Sequence, residues 1–375
     1  MKQCIAFFKK EAVFSIATAL AIVSMFFVRP DRAYIDYVDF RTLAILFCLM
    51  AVMAGLQAQG LFKQIAKALL NRVHSLRQLI LILLLLCFFF SMVITNDVAL
   101  ITFVPLTLTI VDLLDMAERK EWIIPIVVMQ TIAANLGSML TPIGNPQNLY
   151  LYGRSGMSAP AFFSLMLPYA SVALVLLIGW SFLYCRKRNV KMEVHLTGDD
   201  QGTNRKLLTM YAALFLLSLM VVARLVSYPV VLGIVLAAVL IADRKTLKHV
   251  DYSLLLTFVS FFVFIGNMGR IPAFRNFLQQ MIEGHETLTA IAASQVISNV
   301  PAALLLSGFT DQFRSLIIGT NLGGLGTLIA SMASLISFKY IAAYDSKLRG
   351  RYFQYFTLAN VVFLVIMLGS YFIIA

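Results

Sequence analysis

A polar stretch rich in proline and glycine interrupts an apolar part of the chain at residues 135–148. It reads Asn-Leu-Gly-Ser-Met-Leu-Thr-Pro-Ile-Gly-Asn-Pro-Gln-Asn and contains two prolines, two glycines and three asparagines. Proline and glycine break helical hydrogen bonding, and irregular backbone survives in lipid only where protein covers it or where it lines a cavity. The stretch therefore predicts an interrupted helix with a functional or well-covered break.

A second stretch, at residues 321–334, repeats this pattern without prolines and reads Asn-Leu-Gly-Gly-Leu-Gly-Thr-Leu-Ile-Ala-Ser-Met-Ala-Ser. The positions that align are Asn135, Gly137, Thr141 and Asn145 with Asn321, Gly323, Thr327 and Ser331. The two breaks are therefore predicted to be the two walls of one site, with the stronger ion site at the first.

The amino-acid composition indicates whether these breaks lie in water or in lipid. The 375 residues are 60% hydrophobic and only 13% charged, too few charges for a normal water-exposed surface. Most Lys and Arg side chains behind the net charge of +12 lie in short loops, as the positive-inside rule predicts for cytoplasmic loops. We therefore predict an all-α polytopic protein of the cell membrane, surrounded by lipid, with no nucleic-acid partner.

The first half divides into apolar segments with basic flanks. Lys2, Lys9 and Lys10 precede the run 11–28, which lacks a signal-peptide cleavage pattern and so predicts a first span with a cytoplasmic amino terminus. Further segments are predicted as spans at 41–58 and 159–184 and as an amphipathic interfacial helix at 61–70.

Two apolar arms, 78–94 and 98–111, flank the polar tip Thr95-Asn96-Asp97. The arms could be two full helices joined by a tight turn outside the membrane, or a re-entrant hairpin with its tip near the midplane. We favour the hairpin, because Ile94 and Val98 adjoin the tip directly and no interfacial residues intervene.

The second half repeats this order in the opposite orientation. Spans are predicted at 207–223, 228–241 and 252–268, followed by an interfacial stretch at 270–283, an apolar arm from Leu288 and a last span at 352–375 that ends outside. The predicted parts are a first repeat at 1–185 (tip 95–97, break 137–148), a cytoplasmic loop and linking helix at 186–227, and a second repeat at 228–375 (tip 298–301, break 321–334). Inverted repeats of this kind are typical of secondary transporters, whose sites lie at the repeat interface.

Helices that restart inside a membrane have a defined chemistry. Their unpaired N–H groups favour an anion, whereas freed carbonyls and the oxygens of Asn or Thr favour Na⁺. The four breaks could thus form one shared site for both ions.

The tips Thr-Asn-Asp and Ser-Asn-Val-Pro, with Asn-Leu-Gly and Thr-Pro-Ile-Gly-Asn-Pro-Gln-Asn, resemble the ion transporter superfamily over nearly the whole chain. This superfamily includes arsenite permeases, a class of Na⁺/H⁺ antiporters, and sodium-coupled dicarboxylate and citrate carriers. The resemblance implies an elevator-type transporter, often a homodimer, in which a transport domain with both hairpins moves against a scaffold. It also implies two cation sites, one built by Thr95, Asn96, Gly144 and Asn145 and the other by Ser298, Asn299, Thr327 and Ala330.

Two positions depart from the dicarboxylate carriers, whose tips typically read Ser-Asn-Thr. This chain has Asp97 and Val300 there, which favours the arsenite permease and antiporter side. The candidate substrate contacts are Thr95, Asn96, Asp97, Pro146, Asn148, Ser298, Asn299, Val300 and Pro301. The candidate cation ligands are Thr95, Asn96, Asp97, Thr141, Gly144, Asn145, Ser298, Asn299, Asn321, Thr327, Ala330 and Ser331.

Asp97 is the candidate with the sharpest functional implication, because a carboxylate inside a membrane is costly and marks an ion or proton site. Its structural alternative is a helix cap that satisfies free N–H groups at Val98.

The sequence therefore predicts a secondary active transporter, coupled to Na⁺ or H⁺, that moves a small anion or oxyanion by alternating access. A Na⁺/H⁺ antiporter in which Asp97 exchanges the two cations is the close alternative. An ion channel is a third, disfavoured because no helix carries a continuous polar stripe. No His-Glu-x-x-His motif or intramembrane Asp pair occurs, so we expect neither an enzyme nor a bound cofactor.

Overall fold

The computed structural model describes residues 11–71, 73–113, 119–186 and 204–374. The basic residues predicted to mark the cytoplasmic side at Lys2, Lys9 and Lys10, and most of the loop 186–206, lie outside the described residues. Every regular element in the described part is helical. Six of these helices are long and apolar enough to cross a membrane: Phe40–Ala58, Leu76–Ile94, Ala159–Cys185, Arg205–Val222, Tyr252–Gly269 and Ser346–Ile374. The prediction of an all-helical, multi-pass membrane protein is confirmed.

The first half contains nine described helices. They are α1 (Ala12–Phe27), α2 (Ala33–Tyr37), α3 (Phe40–Ala58), α4 (Leu61–Leu70), α5 (Leu76–Ile94), α6 (Asn96–Leu113), α7 (Arg119–Ser138), α8 (Pro146–Ser155) and α9 (Ala159–Cys185). The amphipathic α4 has the bounds that the sequence predicts, whereas the short α2 was not anticipated.

The second half contains nine more, again counted over the described residues. They are α10 (Arg205–Val222), α11 (Tyr228–Ala242), α12 (Tyr252–Gly269), α13 (Pro272–Ile282), α14 (Glu286–Ile297), α15 (Asn299–Leu306), α16 (Phe313–Leu322), α17 (Met332–Tyr344) and α18 (Arg349–Ile374), with 3-10 turns at Arg244–His249 and Ser346–Leu348.

Matching caps begin two of the spans. The Asp39 carboxylate accepts a hydrogen bond from Thr42 N at 3.0 Å at the start of α3, and Asp251 accepts one from Leu254 N at 2.9 Å at the start of α12. Each bond satisfies an N–H group that has no partner within its own helix.

Two glycines let a tyrosine ring lie directly on a spanning helix. A Cβ atom at Gly55 of α3 would lie 2.2 Å from the Tyr211 ring of α10, and one at Gly266 of α12 would lie 2.3 Å from the Tyr37 ring of α2. A side chain at either position would have to displace the tyrosine ring, so these close contacts between helices depend on glycine.

The chain leaves helical geometry at four places that concern the site. Thr95 alone separates α5 from α6, and Ser298 alone separates α14 from α15. Residues 139–145 separate α7 from α8, and residues 323–331 separate α16 from α17. All four interruptions fall in the stretches where the sequence predicts tips and breaks.

Candidate functional site

The two tips have the same backbone geometry. Thr95 has φ 72° and ψ 152°, and Ser298 has φ 74° and ψ 155°. This region is nearly restricted to glycine and costs another residue about 1–3 kcal/mol. Strain of this size, repeated at matching positions, indicates that the tip conformation is fixed by the surrounding contacts.

Each tip is hydrogen-bonded to the break that faces it. Asn96 N donates to the Gly144 carbonyl at 3.2 Å, and Asn299 N donates to the Ala330 carbonyl at 2.9 Å. In both cases the first residue after the strained position binds the last turn of a break. The tips and breaks therefore form two equivalent pairs.

The first break is stabilised by its own polar side chains. Asn145 Nδ2 donates to Ser138 Oγ at 2.6 Å, and Asn148 Nδ2 donates to the carbonyls of Ser138 and Thr141 at 3.3 Å each. A Cβ atom at Gly144 would lie 2.1 Å from the Ser138 carbonyl oxygen, so no larger residue fits there. The Thr141 hydroxyl donates to the Met92 carbonyl on the last turns of α5.

The second break is held by one side chain from the neighbouring arm. Gln295 Nε2 donates to the Gly323 and Leu325 carbonyls at 3.0 and 2.9 Å, and Gln295 Oε1 accepts from Thr327 N at 2.9 Å. Gly326 has φ 104° and leaves no space for a Cβ atom beside the Gln295 amide. Gln295 thus fixes the shape of a break that has no proline.

The two breaks meet at buried amides. Asn135 Oδ1 accepts from Asn96 Nδ2 and from Ser331 Oγ, each at 3.0 Å. Asn321 Nδ2 donates to Asn148 Oδ1 at 2.6 Å. One tip and both breaks are therefore joined in a single polar cluster between helices of the two halves.

Asp97 lies in the first turn of α6, one residue after the helix begins. Its backbone N–H donates to Asn96 Oδ1 at 2.9 Å. The carboxylate atom Oδ1 is buried and has no hydrogen-bond partner among the described residues. This geometry differs from the capping alternative, in which the carboxylate would accept N–H groups at the helix start. The positive end of the α6 dipole nevertheless favours a negative charge at this position.

A cavity adjoins each tip. The first is lined by Thr95, Asp97 and Asn145, together with apolar residues of α3 and α5, and the second by Val300, Pro301 and Lys339. Asp251 and Leu254, at the start of α12, line both cavities. The two tips are therefore both approached from the end of α12 that begins at Tyr252.

All but one of the predicted site residues divide into three groups. The polar cluster contains Asn96, Asn145, Asn148, Asn321 and Ser331, together with Thr141, whose carbonyl accepts a hydrogen bond from Asn148 Nδ2. Thr95, Ser298, Asn299, Gly144 and Ala330 form the tip pairs, and Asp97, Pro146, Val300 and Pro301 line the cavities. Thr327 is exposed and its hydroxyl donates to the Gln295 carbonyl at 3.1 Å, so it lies away from the cluster.

Sequence reasoning missed Gln295 and the central role of Asn135. Gln295 is a polar residue inside an apolar arm, three positions before the tip, and that placement was the available signal. Asn135 was noticed only through its alignment with Asn321.

Hydroxyl, amide and carbonyl oxygens are the groups that converge at the tips, and these are the ligand types that broken transporter helices present to Na⁺. No group of three or more His, Cys, Asp or Glu side chains able to hold a metal ion occurs in the described part of the chain.

The sequence of the chain is similar to those of known proteins. A family model described as citrate transporter matches residues 5–312. The chain is 30% identical over 353 residues to the inner membrane protein YbiR of Escherichia coli K12, covering 92% of this chain and 91% of that protein. It is also 30% identical over 324 residues to the uncharacterized transporter MJ0456 of Methanocaldococcus jannaschii, covering 86% and 87%. A stretch of 150 residues, 40% of this chain and 30% of the relative, is 29% identical to the silicon efflux transporter LSI3 of rice.

Proposed function

The chain belongs to the citrate transporter family, and on that premise we propose that it is a secondary active transporter for a small anion or oxyanion, coupled to Na⁺ or H⁺. Family membership and relatives named transporters make it a membrane transporter, in agreement with the superfamily resemblance of its tips and breaks. The cargo, the coupling ion and the alternating-access mechanism are the proposal.

The observation that carries the proposal is the pairing of two strained tips with two helix breaks. Four helices, α6, α8, α15 and α17, begin at these places, and the positive ends of their dipoles provide a favourable environment for an anion. The same breaks contribute carbonyl and amide oxygens that suit a cation. Both ions can therefore be bound without a charged residue at every position.

We assign one cation to the first pair, with Thr95, Asn96, Gly144 and Asn145 as ligands. The second pair would hold another, with Ser298, Asn299, Ala330 and Thr327 as candidate ligands. Thr327 needs to turn inward for this role, because its hydroxyl is bonded to Gln295 in this conformation. The substrate would bind between the tips, next to the cavity residues Asp97 and Val300.

The order of the helices supports inverted repeats. Helices α3 to α9 correspond in sequence to α12 to α18, including the Asp39 and Asp251 caps, the tips and the breaks. We propose that the tips are re-entrant hairpins and that α5–α8 and α14–α17 move together, as an elevator, against a scaffold of the remaining helices. The scaffold would form a homodimer, with the amino terminus in the cytoplasm and the carboxyl terminus outside.

One observation favours a Na⁺/H⁺ antiporter as the second candidate. Asp97 Oδ1 is buried without a partner, and a carboxylate in this state binds a proton or a cation in turn. If the cargo were a dicarboxylate, the ionised Asp97 side chain would repel one of its two carboxylate groups.

Proteoliposomes distinguish these functions. Uptake of labelled citrate, succinate and arsenite is measured with a Na⁺ gradient at equal pH, and with a pH gradient at equal Na⁺. The proposal expects saturable, uphill uptake of one anion driven by one gradient. Na⁺ flux driven by pH in the absence of any of these anions would replace it with the antiporter, and flux without saturation or accumulation would indicate a channel.

A thermal-unfolding screen with the same anions and with Na⁺ and Li⁺ narrows the choice of anion and cation before the transport assays. A ligand that binds only the folded state at 100 times its Kd stabilises that state by about 2.7 kcal/mol.

A further inference from the structure

A small cavity lies at the beginning of α3, apart from the two cavities beside the tips. It has a volume of about 110 Å³ and is lined by residues at the start of α3, in the second half of α8 and at the end of α10. The charged side chains among its described lining residues are Asp39, Arg41 and Arg154, two positive groups and one negative. One water needs only about 10–15 Å³, so a carboxylate or oxyanion group fits in this space.

The three charged groups differ in how far they are already bound. Both oxygens of the Asp39 carboxylate accept from Thr42, Oδ1 from the N–H group at 3.0 Å and Oδ2 from the hydroxyl at 2.6 Å. Arg41 is half-buried and donates one long hydrogen bond, to the Val221 carbonyl at 3.4 Å. Arg154 is exposed and makes no hydrogen bond or ion pair with any residue that the structure describes. Both guanidinium groups therefore keep free N–H donors, while the carboxylate beside them is occupied.

A basic residue in the last turn of a helix can instead serve the helix itself, by binding its free carbonyls. At the end of α8 this role is taken by Arg224. Its guanidinium donates to the carbonyls of Tyr152 and Gly156 at 3.3 and 3.0 Å, and its Cζ atom lies 5.3 Å from the centre of the Tyr152 ring. Because Arg224 already binds the end of α8, Arg154 is available to a ligand.

A thin apolar partition separates this cavity from the one beside the first tip. Leu149 of α8 is buried and lines both cavities. On α3 the lining passes from Ile45 in this cavity to Leu46 and Leu49 in the tip cavity, and all three side chains are buried. The tip cavity continues as far as Gln57, near the other end of α3. The two cavities therefore meet at the partition from opposite ends of α3.

We propose that the cavity lined by Arg41 and Arg154 binds one carboxylate or oxyanion group and is the first binding site of the transported anion on its side of the partition. A guanidinium group presents a planar fork of N–H donors that matches a carboxylate or a phosphate. The role in transport rests on the proposed function, whereas the binding of an anion does not. A phospholipid headgroup offers the same phosphate chemistry, so the test separates lipid from free anions.

A cysteine at Gly153 reports the charge of the cavity. Gly153 is a lining residue, and a Cβ atom there would lie 3.6 Å from Thr42 Oγ1, an ordinary contact, so Gly153→Cys fits. The substitution is made together with Cys4→Ser, because the other three cysteines are buried. The rates at which an anionic and a cationic methanethiosulfonate modify the purified full chain are compared in detergent.

Removal of both arginines should change the ratio of these two rates. In Arg41→Gln/Arg154→Gln the anionic-to-cationic ratio is expected to fall at least about tenfold, the lower end of the effect of a charged cleft on association. The control Arg275→Gln/Arg314→Gln removes the same charge from exposed positions that do not line the cavity, and it should keep the original ratio.

Occupancy of the cavity is measured as protection of the same cysteine from a neutral methanethiosulfonate. Sodium succinate or inorganic phosphate, exchanged for sodium chloride at equal ionic strength, should slow the modification saturably, and should have no effect in Arg41→Gln/Arg154→Gln. In nanodiscs, slower modification with phosphatidylglycerol than with phosphatidylcholine, together with no effect of the soluble anions, would assign the site to lipid and overturn its role in transport.

An unchanged rate ratio in the arginine double variant would overturn the site itself. If Gly153→Cys lowers the unfolding temperature, Val222→Cys at another lining position repeats the measurement. Failure of the proposed transport function gives a different result, namely normal charge preference and protection with no uptake in proteoliposomes. Where an anion is taken up, the double variant should raise its half-saturating concentration about tenfold and keep the maximal rate. A lower maximal rate with an unchanged half-saturating concentration would overturn the role in transport.

Discussion

The two tip–break pairs reach one geometry by different means. At the first, the shape comes from Pro146 at the start of α8 and from the Asn145 and Asn148 amides within the break itself. At the second, which has no proline, the Gln295 amide reaches across from the hairpin arm and holds three backbone groups.

The pairs also differ in charge and in size. The residue after the tip asparagine is Asp97 at the first and Val300 at the second, and the arms are 19 and 18 residues long against 12 and 8. Geometry is thus duplicated while chemistry is not. The first pair would be the one that responds to protons or to a bare cation, and the second would be largely independent of pH.

Of the substitutions that test the difference between the two pairs, Asp97→Asn should have the largest effect, and the effect should be on transport. We expect gradient-driven uptake to fall about 100-fold or more, since the exchangeable carboxylate is lost, with little change in thermal unfolding, since the amide has a similar size. Uptake and unfolding are measured on the same preparation. Asp36→Asn, at an exposed position on α2, is the control, and wild-type coupled transport by Asp97→Asn would refute the assignment.

Asn135→Leu tests whether the pairs depend on each other. The change leaves Asn96 Nδ2 and Ser331 Oγ without their shared acceptor, and a buried polar group without a partner costs about 1–3 kcal/mol. We expect a loss of about 3 kcal/mol in the free energy of unfolding in detergent. Asn360→Leu on α18 removes an amide that is also fully buried but donates only within its own helix, and should cost less. Equal losses would show that the bridge between the breaks adds no stability.

Gln295→Met tests the clamp on the second break alone. Two carbonyls and one N–H lose their partner, but the site is only partly buried, so we expect about 1–2 kcal/mol of destabilisation. Limited proteolysis should then cut within residues 323–331 sooner than within 139–145. Gln64→Met on the surface helix α4 provides the control, and protection of both breaks in the Gln295 variant would contradict the clamp.

Thr95→Gly and Ser298→Gly should give the smallest change and the closest match. Relief of backbone strain and the higher entropy of the unfolded chain nearly cancel, so each should shift the free energy of unfolding by at most about 1 kcal/mol, in the same direction. Thr109→Gly, at an exposed position inside α6, should destabilise by about 1 kcal/mol. Tips that respond with opposite signs would show that their common geometry is not equally strained.

The polar tips and both breaks could be located from the sequence because proline, glycine and asparagine are conspicuous inside apolar runs. The helices between them followed from length and hydropathy, and α4 from its amphipathic pattern. The partners of these residues could not be located. Asn135 bridges Asn96 and Ser331, and Gln295 binds a break 28 to 32 positions away. Both contacts depend on how the helices pack, and a pattern of residues along the sequence does not predict that packing. Thr327 shows that alignment alone can mislead. It aligns with Thr141, but its hydroxyl donates to the Gln295 carbonyl and lies away from the polar cluster.

The two tyrosine–glycine contacts have a consequence for how the halves are held together. Tyr211, from the second half, lies on Gly55 of the first, and Tyr37, from the first half, lies on Gly266 of the second. Each half therefore packs a tyrosine ring against a glycine of the other half. Moving the two halves apart would break both contacts at once, so these reciprocal contacts contribute to the packing between the halves.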